Sequence, residues 1–223
     1  MVLEARGLVK VFPPPPFSGG AGLRALDGVD LAAGPGTLGL EGPNGSGKTT
    51  LLKTLAGVLE ADGGTISAGG RPAASADLRK IAALCPPNPR SFYFRLSAAE
   101  NLRFFGALAG LEPGRSLALA RGLGARLGLP EAELERRFDR LSEGNMQKVS
   151  LIRAFSRPAE FLLLDEPFRG LDSAAVNGLL GLIEERGRLG AVLLSSHSPG
   201  LLREAAPRVV TLEKGRVRNG GAQ

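Results

Sequence analysis

Two rhythms of apolar residues divide this chain. Toward both ends, short apolar runs stand between glycine or proline turns. Val2–Ala5, Val9–Phe12, Leu26–Leu31, Thr37–Leu40, Thr65–Ser67 and Ile81–Leu84 predict strands in the first part. Phe161–Leu164 and Ala191–Leu194 are continuous apolar runs, the pattern of strands buried on both faces. Val209–Leu212, a Lys214-Gly215 turn and Val217 predict a closing hairpin. Elsewhere the period lengthens to that of a helix. Leu51, Leu52, Leu55 and Val58 predict one helix, and Asp172 caps another that runs through Glu185. In the middle, Ser97 and Glu100 form a capping box ahead of Leu102, Phe105 and Leu108. Leu117–Leu127 and Pro130–Leu141 also read as helices, the second with Pro130 in its first turn and Glu131 and Glu133 nearby.

Strands alternating with helices predict an α/β fold. The expected organisation is a single domain over 1–223, with a core of about 1–85 and 156–223 and a helical subdomain of about 86–155 inserted in it. Pro13–Pro16 predicts a stiff extended segment and Ser18-Gly19-Gly20 a flexible one, together a surface loop after Val9–Phe12.

Composition narrows the class. With 223 residues, 43% hydrophobic and 22% charged, the chain is long and apolar enough for a substantial core. The net charge of +6 is spread over scattered arginines with no block of like charge, so no nucleic-acid partner is expected. Cys85 is alone, which excludes an internal disulfide and fits a reducing cytoplasm. Met1–Arg6 lacks the charged and apolar regions of a secretory leader. No apolar run approaches the ~18 residues that span a bilayer, so work at a membrane would need spanning helices from another chain.

The chemistry begins after Thr37–Leu40, at Gly42-Pro43-Asn44-Gly45-Ser46-Gly47-Lys48-Thr49-Thr50. Strand, glycine-rich turn and helix make a phosphate cradle. Glycines let backbone N–H groups converge on an anion, and the helix N-terminus adds its positive dipole end. Lys48 is placed for the β- and γ-phosphates of a nucleoside triphosphate, and Thr49 for Mg²⁺. In a chain of this composition the pattern arises by chance about once in a hundred, before its context is counted. Asp165 and Glu166 end a buried strand, where a crevice lies in an open α/β sheet. There Asp165 suits a hydrated metal and Glu166 a general base; the alternative is two acids in a surface turn. His197, the sole histidine, ends another buried strand and could donate to a γ-phosphate. Leu141-Ser142-Glu143-Gly144-Asn145-Met146-Gln147 precedes a helix that Ser142 could cap, a second helix N-terminus open to an anion.

Assembled in this order, these residues resemble the ATP-binding subunit of ABC transporters over nearly the whole chain. Gly42–Thr50 is similar to the Walker A motif, Phe161–Glu166 to Walker B with its glutamate, and Leu141–Gln147 to the family signature. Gly170-Leu171-Asp172 resembles the D-loop, His197 the switch histidine, and Phe12 the aromatic residue that stacks on adenine. The resemblance implies a P-loop NTPase core of the ABC type with an antiparallel β part and an inserted helical subdomain. It also implies ATP and Mg²⁺ bound by Phe12, Gly42–Thr50, Asp165, Ser142, Gly144 and Asp172, with Lys48, Glu166 and His197 catalytic. The implied partners are a second ATP-binding subunit, head-to-tail and most simply a homodimer, and a transmembrane permease holding the protein at the cytoplasmic face of the membrane.

Residues 88–111, with the aromatic cluster Phe92-Tyr93-Phe94, are most similar to ATPases of drug, antibiotic, lipid or polysaccharide exporters. Leu164–Phe168 is similar to the haem-export ATPase of cytochrome c maturation. Non-transport ABC ATPases, a small-molecule kinase and an ATP-binding regulatory subunit are the competing readings. The departures are specific. Cys85-Pro86-Pro87 replaces the family's metal-contacting glutamine, leaving Asn88 or water as substitutes. Glu143 and Asn145 enter the signature, and Arg169-Gly170 the D-loop. Phe92, Tyr93 and Phe94 either pack in the helical part or line a groove for a partner's helix.

Overall fold

A computed structural model describes residues 1–14, 16, 20–89 and 91–218. The chain opens with strand β1 (Leu3–Phe12), then β2 (Leu23–Ala33) and β3 (Gly36–Glu41), followed by helix α1 (Lys48–Leu55). Strands β4 (Gly63–Ala68) and β5 (Arg71–Pro72), helix α2 (Ser75–Ile81) and strand β6 (Ala82–Cys85) come next. The middle is helical: α3 (Ala98–Leu108), α4 (Pro113–Arg126), α5 (Glu131–Leu134) and α6 (Glu143–Ser156). The last part alternates β7 (Phe161–Asp165), α7 (Ser173–Leu189), β8 (Ala191–Ser195) and α8 (Pro199–Ala205), and ends in β9 (Arg208–Glu213) and β10 (Arg216–Arg218).

The strands form two sheets. The order β2-β1-β4-β5 makes an antiparallel sheet, and β10-β9-β3-β8-β7-β6 a second in which only the edge pair β10–β9 is antiparallel. The α/β expectation holds. β7 and β8 are buried along their whole length, as their unbroken apolar runs predict. One cluster of buried side chains, including Leu38, Leu40, Leu51, Leu52 and Leu163, joins the two sheets through α1. The other covers the opposite face of the large sheet with residues of α3, α4, α6 and α7, among them Leu102, Ala120, Val149 and Leu179.

The helical segment corrects two expectations. Pro130–Leu141 is not one helix. α5 ends at Leu134, Glu135 keeps helical backbone angles, Arg137 is extended at ψ 139°, and a short 3₁₀ turn covers Phe138–Arg140. The backbone of residues 136–139 pairs with the segment leading into α3: Ala98 donates to Arg136 O, Phe138 to Leu96 O and Asp139 to Phe94 O. Phe138 is fully buried and stacks on Phe92 with ring centroids 4.5 Å apart. Those contacts outweigh the modest helical preference of Glu135-Arg136-Arg137. The helix before that segment, α4, begins at Pro113, four residues ahead of the expected Leu117, with the proline at its first turn. The Ser97–Glu100 capping box forms as predicted, each side chain accepting from the other's backbone N–H at 3.1 and 2.7 Å.

The aromatic choice divides. Phe92 is buried between Phe105 and Phe138, whereas Tyr93 and Phe94 are exposed. Ser18 and Gly19 of the expected flexible segment, and Pro15 of the proline run, lie outside the described residues.

Candidate functional site

β3, β8 and β7 are neighbours and parallel, so their carboxyl ends meet at one edge of the sheet. β3 leads into Gly42–Thr50, β7 ends in Asp165-Glu166, and β8 ends in Ser195 two residues before His197. In the β7–β8 ladder, Asp165 and Ser195 are direct partners. This is where an open α/β sheet places a ligand crevice. A cleft of about 220 Å³ lies here, lined by Phe12, Leu23, Ala25, residues 44–50, Asp165, Glu166 and His197.

The loop is shaped for an anion. Gly47, at φ 108°, is the N-cap of α1, and a Cβ there would come within 2.4 Å of the Ala25 carbonyl. No side chain caps α1 and no acid occupies its first turn, so its leading N–H groups and dipole face the cleft. Ser46 Oγ is buried without a hydrogen-bond partner. Lys48 is buried and folds back, donating to the carbonyls of Gly42 at 2.6 Å and Pro43 at 3.1 Å. Burial pulls its pKa below the ordinary lysine range, against the opposing pull of Glu166 and Asp165.

Ser195 organises the acids. Its hydroxyl donates to Asp165 Oδ1 at 2.7 Å and accepts from the Glu166 backbone N–H at 3.1 Å. Glu166 sits in the left-handed region at φ 52°, a conformation that costs a non-glycine residue about 1–2 kcal/mol. That turn aims its carboxylate at His197, whose backbone N–H donates to Glu166 Oε2 at 3.0 Å. His197 Nε2 approaches Glu166 Oε1 at 3.3 Å. The approach lacks hydrogen-bond alignment, so this buried oxygen has no donor. Sequence reasoning missed Ser195, whose signal is a hydroxyl closing an otherwise apolar buried strand. It also missed Leu23 and Ala25, brought to the cleft by β1–β2 pairing.

The residues present fit Mg²⁺. Among the described residues no three His, Cys, Asp or Glu side chains cluster as a metal cage. Thr49 and Asp165 in one cleft offer the hydroxyl and carboxylate of a site that Mg²⁺ completes with water and substrate phosphates.

Not every expected residue is here. Ser142, Gly144 and Asp172 lie outside this cleft. Ser142 caps α6, accepting from Asn145 N–H at 3.1 Å. Asp172 caps α7 and pairs with Lys148 at 2.9 Å; the Ala175 N–H and then Lys148 hold its carboxyl below the usual range. Asn88 is exposed and does not line the cleft either. The Cys85 thiol, fully buried, is raised to about 11 by desolvation and stays protonated.

The ABC transporter family matches residues 26–169, more than half of the chain. The chain belongs to that family. Its fold is that of the ABC ATPase, and its enzymatic class is ATPase. The ABC transporter ATP-binding protein NatA of Bacillus subtilis is 31% identical over 204 residues, 90% of this chain and 82% of NatA. The macrolide export ATP-binding/permease protein MacB of Hyphomonas neptunium is 32% identical over 207 residues. That match covers 90% of this chain, which spans only 32% of MacB. A solved structure of an ATP-binding subunit of an ABC transporter superposes with TM-score 0.83 at 28% identity, covering 97% of this chain and 88% of that one.

Within an ABC ATPase, the exposed Asn88 is a poor replacement for the missing glutamine. Asn88→Ala is expected to change Mg²⁺-dependent ATP turnover by less than about twofold, the scale of a surface substitution. A tenfold rise in the Mg²⁺ requirement would restore its amide to the site.

Proposed function

We propose that this chain binds and hydrolyses ATP to power export by a partner transmembrane subunit. The observation that carries the reading is the constellation at the ends of β3, β7 and β8. The uncapped N-terminus of α1 and Lys48 face Asp165 and Glu166, the latter backed by His197. Lys48 and the loop N–H groups would hold phosphates. Thr49 and Asp165 would hold Mg²⁺, which supplies electrostatic stabilisation of the transferred phosphoryl group. Glu166 would orient a water and accept its proton, with His197 donating to the γ-phosphate.

The cleft contains neither Ser142 nor Gly144, and in this reading one copy supplies half of a site. Ser142 and Gly144, at the N-terminus of α6, would complete it from a second copy arranged head-to-tail, and Phe12 would stack on the adenine. The match to MacB, named for macrolide export, supports the export direction. The alternative of an ATP-binding regulatory subunit with weak hydrolysis draws on Pro86, Pro87 and exposed Asn88 standing where an amide is expected.

Among the described residues no helix is long and apolar enough to cross a membrane, so the spanning partner is a separate chain or segment. Its docking place is a second cleft of about 590 Å³ between α1, β6, α3 and α6, floored by Leu84, Leu102 and Phe105. Among the described residues, Lys53, Arg79, Arg153 and Arg157 line it and no acid does. That charge suits a short amphipathic helix bearing a carboxylate. Leu108 is 72% exposed at this cleft, so a charge there leaves the core alone. Leu108→Arg is expected to reduce co-purification with the permease and transport about tenfold, on the scale of an interface hot spot, with ATP binding intact. Undiminished co-purification and transport would rule out this cleft as the dock.

A further inference from the structure

We propose that Arg169 is a positioning residue for the composite site. Its guanidinium neutralises Glu143 and so keeps the N-terminus of α6 receptive to the triphosphate held by a second copy. The inference rests on the two-copy reading above and concerns residues that depart from the family pattern.

The two helix N-termini expected to face a nucleotide differ in charge. α1 carries no acid in its first turn, whereas α6 carries Glu143 there. A carboxylate at that place favours an isolated helix, because it complements the dipole. It also repels a polyphosphate approaching the same N–H groups. Arg169 lies 3.2 Å from Glu143 Oε1.

The backbone places it there. Gln147 Nε2 donates to Pro167 O at 3.2 Å, and Lys148 pairs with Asp172 at 2.9 Å. Between these contacts the Gly170 carbonyl lies so near Gly144 that a Cβ at 144 would come within 2.6 Å of it. Residues 167–172 therefore run along the first turns of α6, and Arg169 is the contact at the helix's open end. Arg169 N–H also donates to Glu166 O at 3.3 Å, so one turn carries both the carboxylate at the cleft and the cation at α6. Both members of the pair are more than half exposed, at 56% and 73%, which makes it a minor contributor to stability. Its consequence is the local charge that an incoming phosphate meets.

The test uses the full chain carrying Glu166→Gln, so that turnover does not clear the dimer. Sedimentation reads the MgATP concentration giving half-maximal dimer. Adding Arg169→Ala is expected to raise that concentration about threefold at low salt, the scale of exposed charge pairs. Arg169→Lys should raise it less. Adding Glu143→Gln to Arg169→Ala should restore the parent value, and near 1 M salt, where screening reaches ~3 Å, the difference should vanish. If Arg169→Ala shifts nothing, or if its shift survives removal of Glu143, neutralisation is wrong. A Glu166→Gln parent that forms no dimer with MgATP overturns the two-copy reading and this inference together, and that parent alone reveals it.

Discussion

Glu166→Gln is expected to lower ATP turnover by about a thousandfold while ATP binding stays within a few-fold of the parent. The basis is where the structure holds this side chain. Glu166 is bent into a left-handed conformation that a free residue avoids, fixed by Ser195 from one side and by the His197 backbone from the other. One of its oxygens is buried without a hydrogen-bond donor, leaving an acceptor for a proton. A positioned base contributes on the order of 10²–10⁴ in rate. Glutamine preserves shape and keeps an oxygen for the His197 N–H, but cannot take the proton. Steady-state phosphate release and equilibrium binding of a fluorescent ATP analogue separate the two effects. Loss of binding in parallel with turnover would instead mean that Glu166 shapes the cleft rather than serving the reaction.

The second large effect is on binding itself. Lys48→Met keeps the length of a buried side chain and removes its charge, so the fold should persist, judged by an unchanged circular dichroism spectrum. ATP affinity should fall about ten- to a hundredfold, the ~1.5–3 kcal/mol of a charge-assisted hydrogen bond. Lys48 Nζ now rests on the Gly42 and Pro43 carbonyls, within the attraction of Asp165 and Glu166. Burial disfavours its charged form more than Asp165 and Glu166 favour it, so an arriving polyphosphate adds the counter-charge that tips the balance back. Unchanged ATP affinity in Lys48→Met would remove Gly42–Thr50 from the account.

Much of the site was legible because its elements are locally encoded. The loop and its lysine are contiguous, and Asp165, Glu166 and His197 each follow an apolar run that can only be a buried strand. The fold class followed from those runs. What escaped depended on partners distant in sequence. Ser195 matters only because β8 lies beside β7, which sets its hydroxyl against Asp165. The interruption of Pro130–Leu141 reflects backbone pairing with residues 94–98, about forty positions away, and no local propensity announces it. α2 and α8, seven residues each, have one buried side chain apiece and so show no apolar period to read. Phe92-Tyr93-Phe94 could not be divided from sequence, because burial of Phe92 needs Phe105 and Phe138 as its walls. The contacts of α6 with residues 167–172 bring together two segments whose departures from the family pattern looked unrelated. Glu143 and Arg169 are partners.

The central claim is that one chain carries half of a nucleotide site and a second copy carries the other half. The most direct measurement is the sedimentation mass of the Glu166→Gln protein with and without MgATP. The account predicts a monomer of 23.2 kDa without nucleotide and twice that mass with it. A single monomeric species at saturating MgATP, in protein shown to bind the nucleotide, would contradict it.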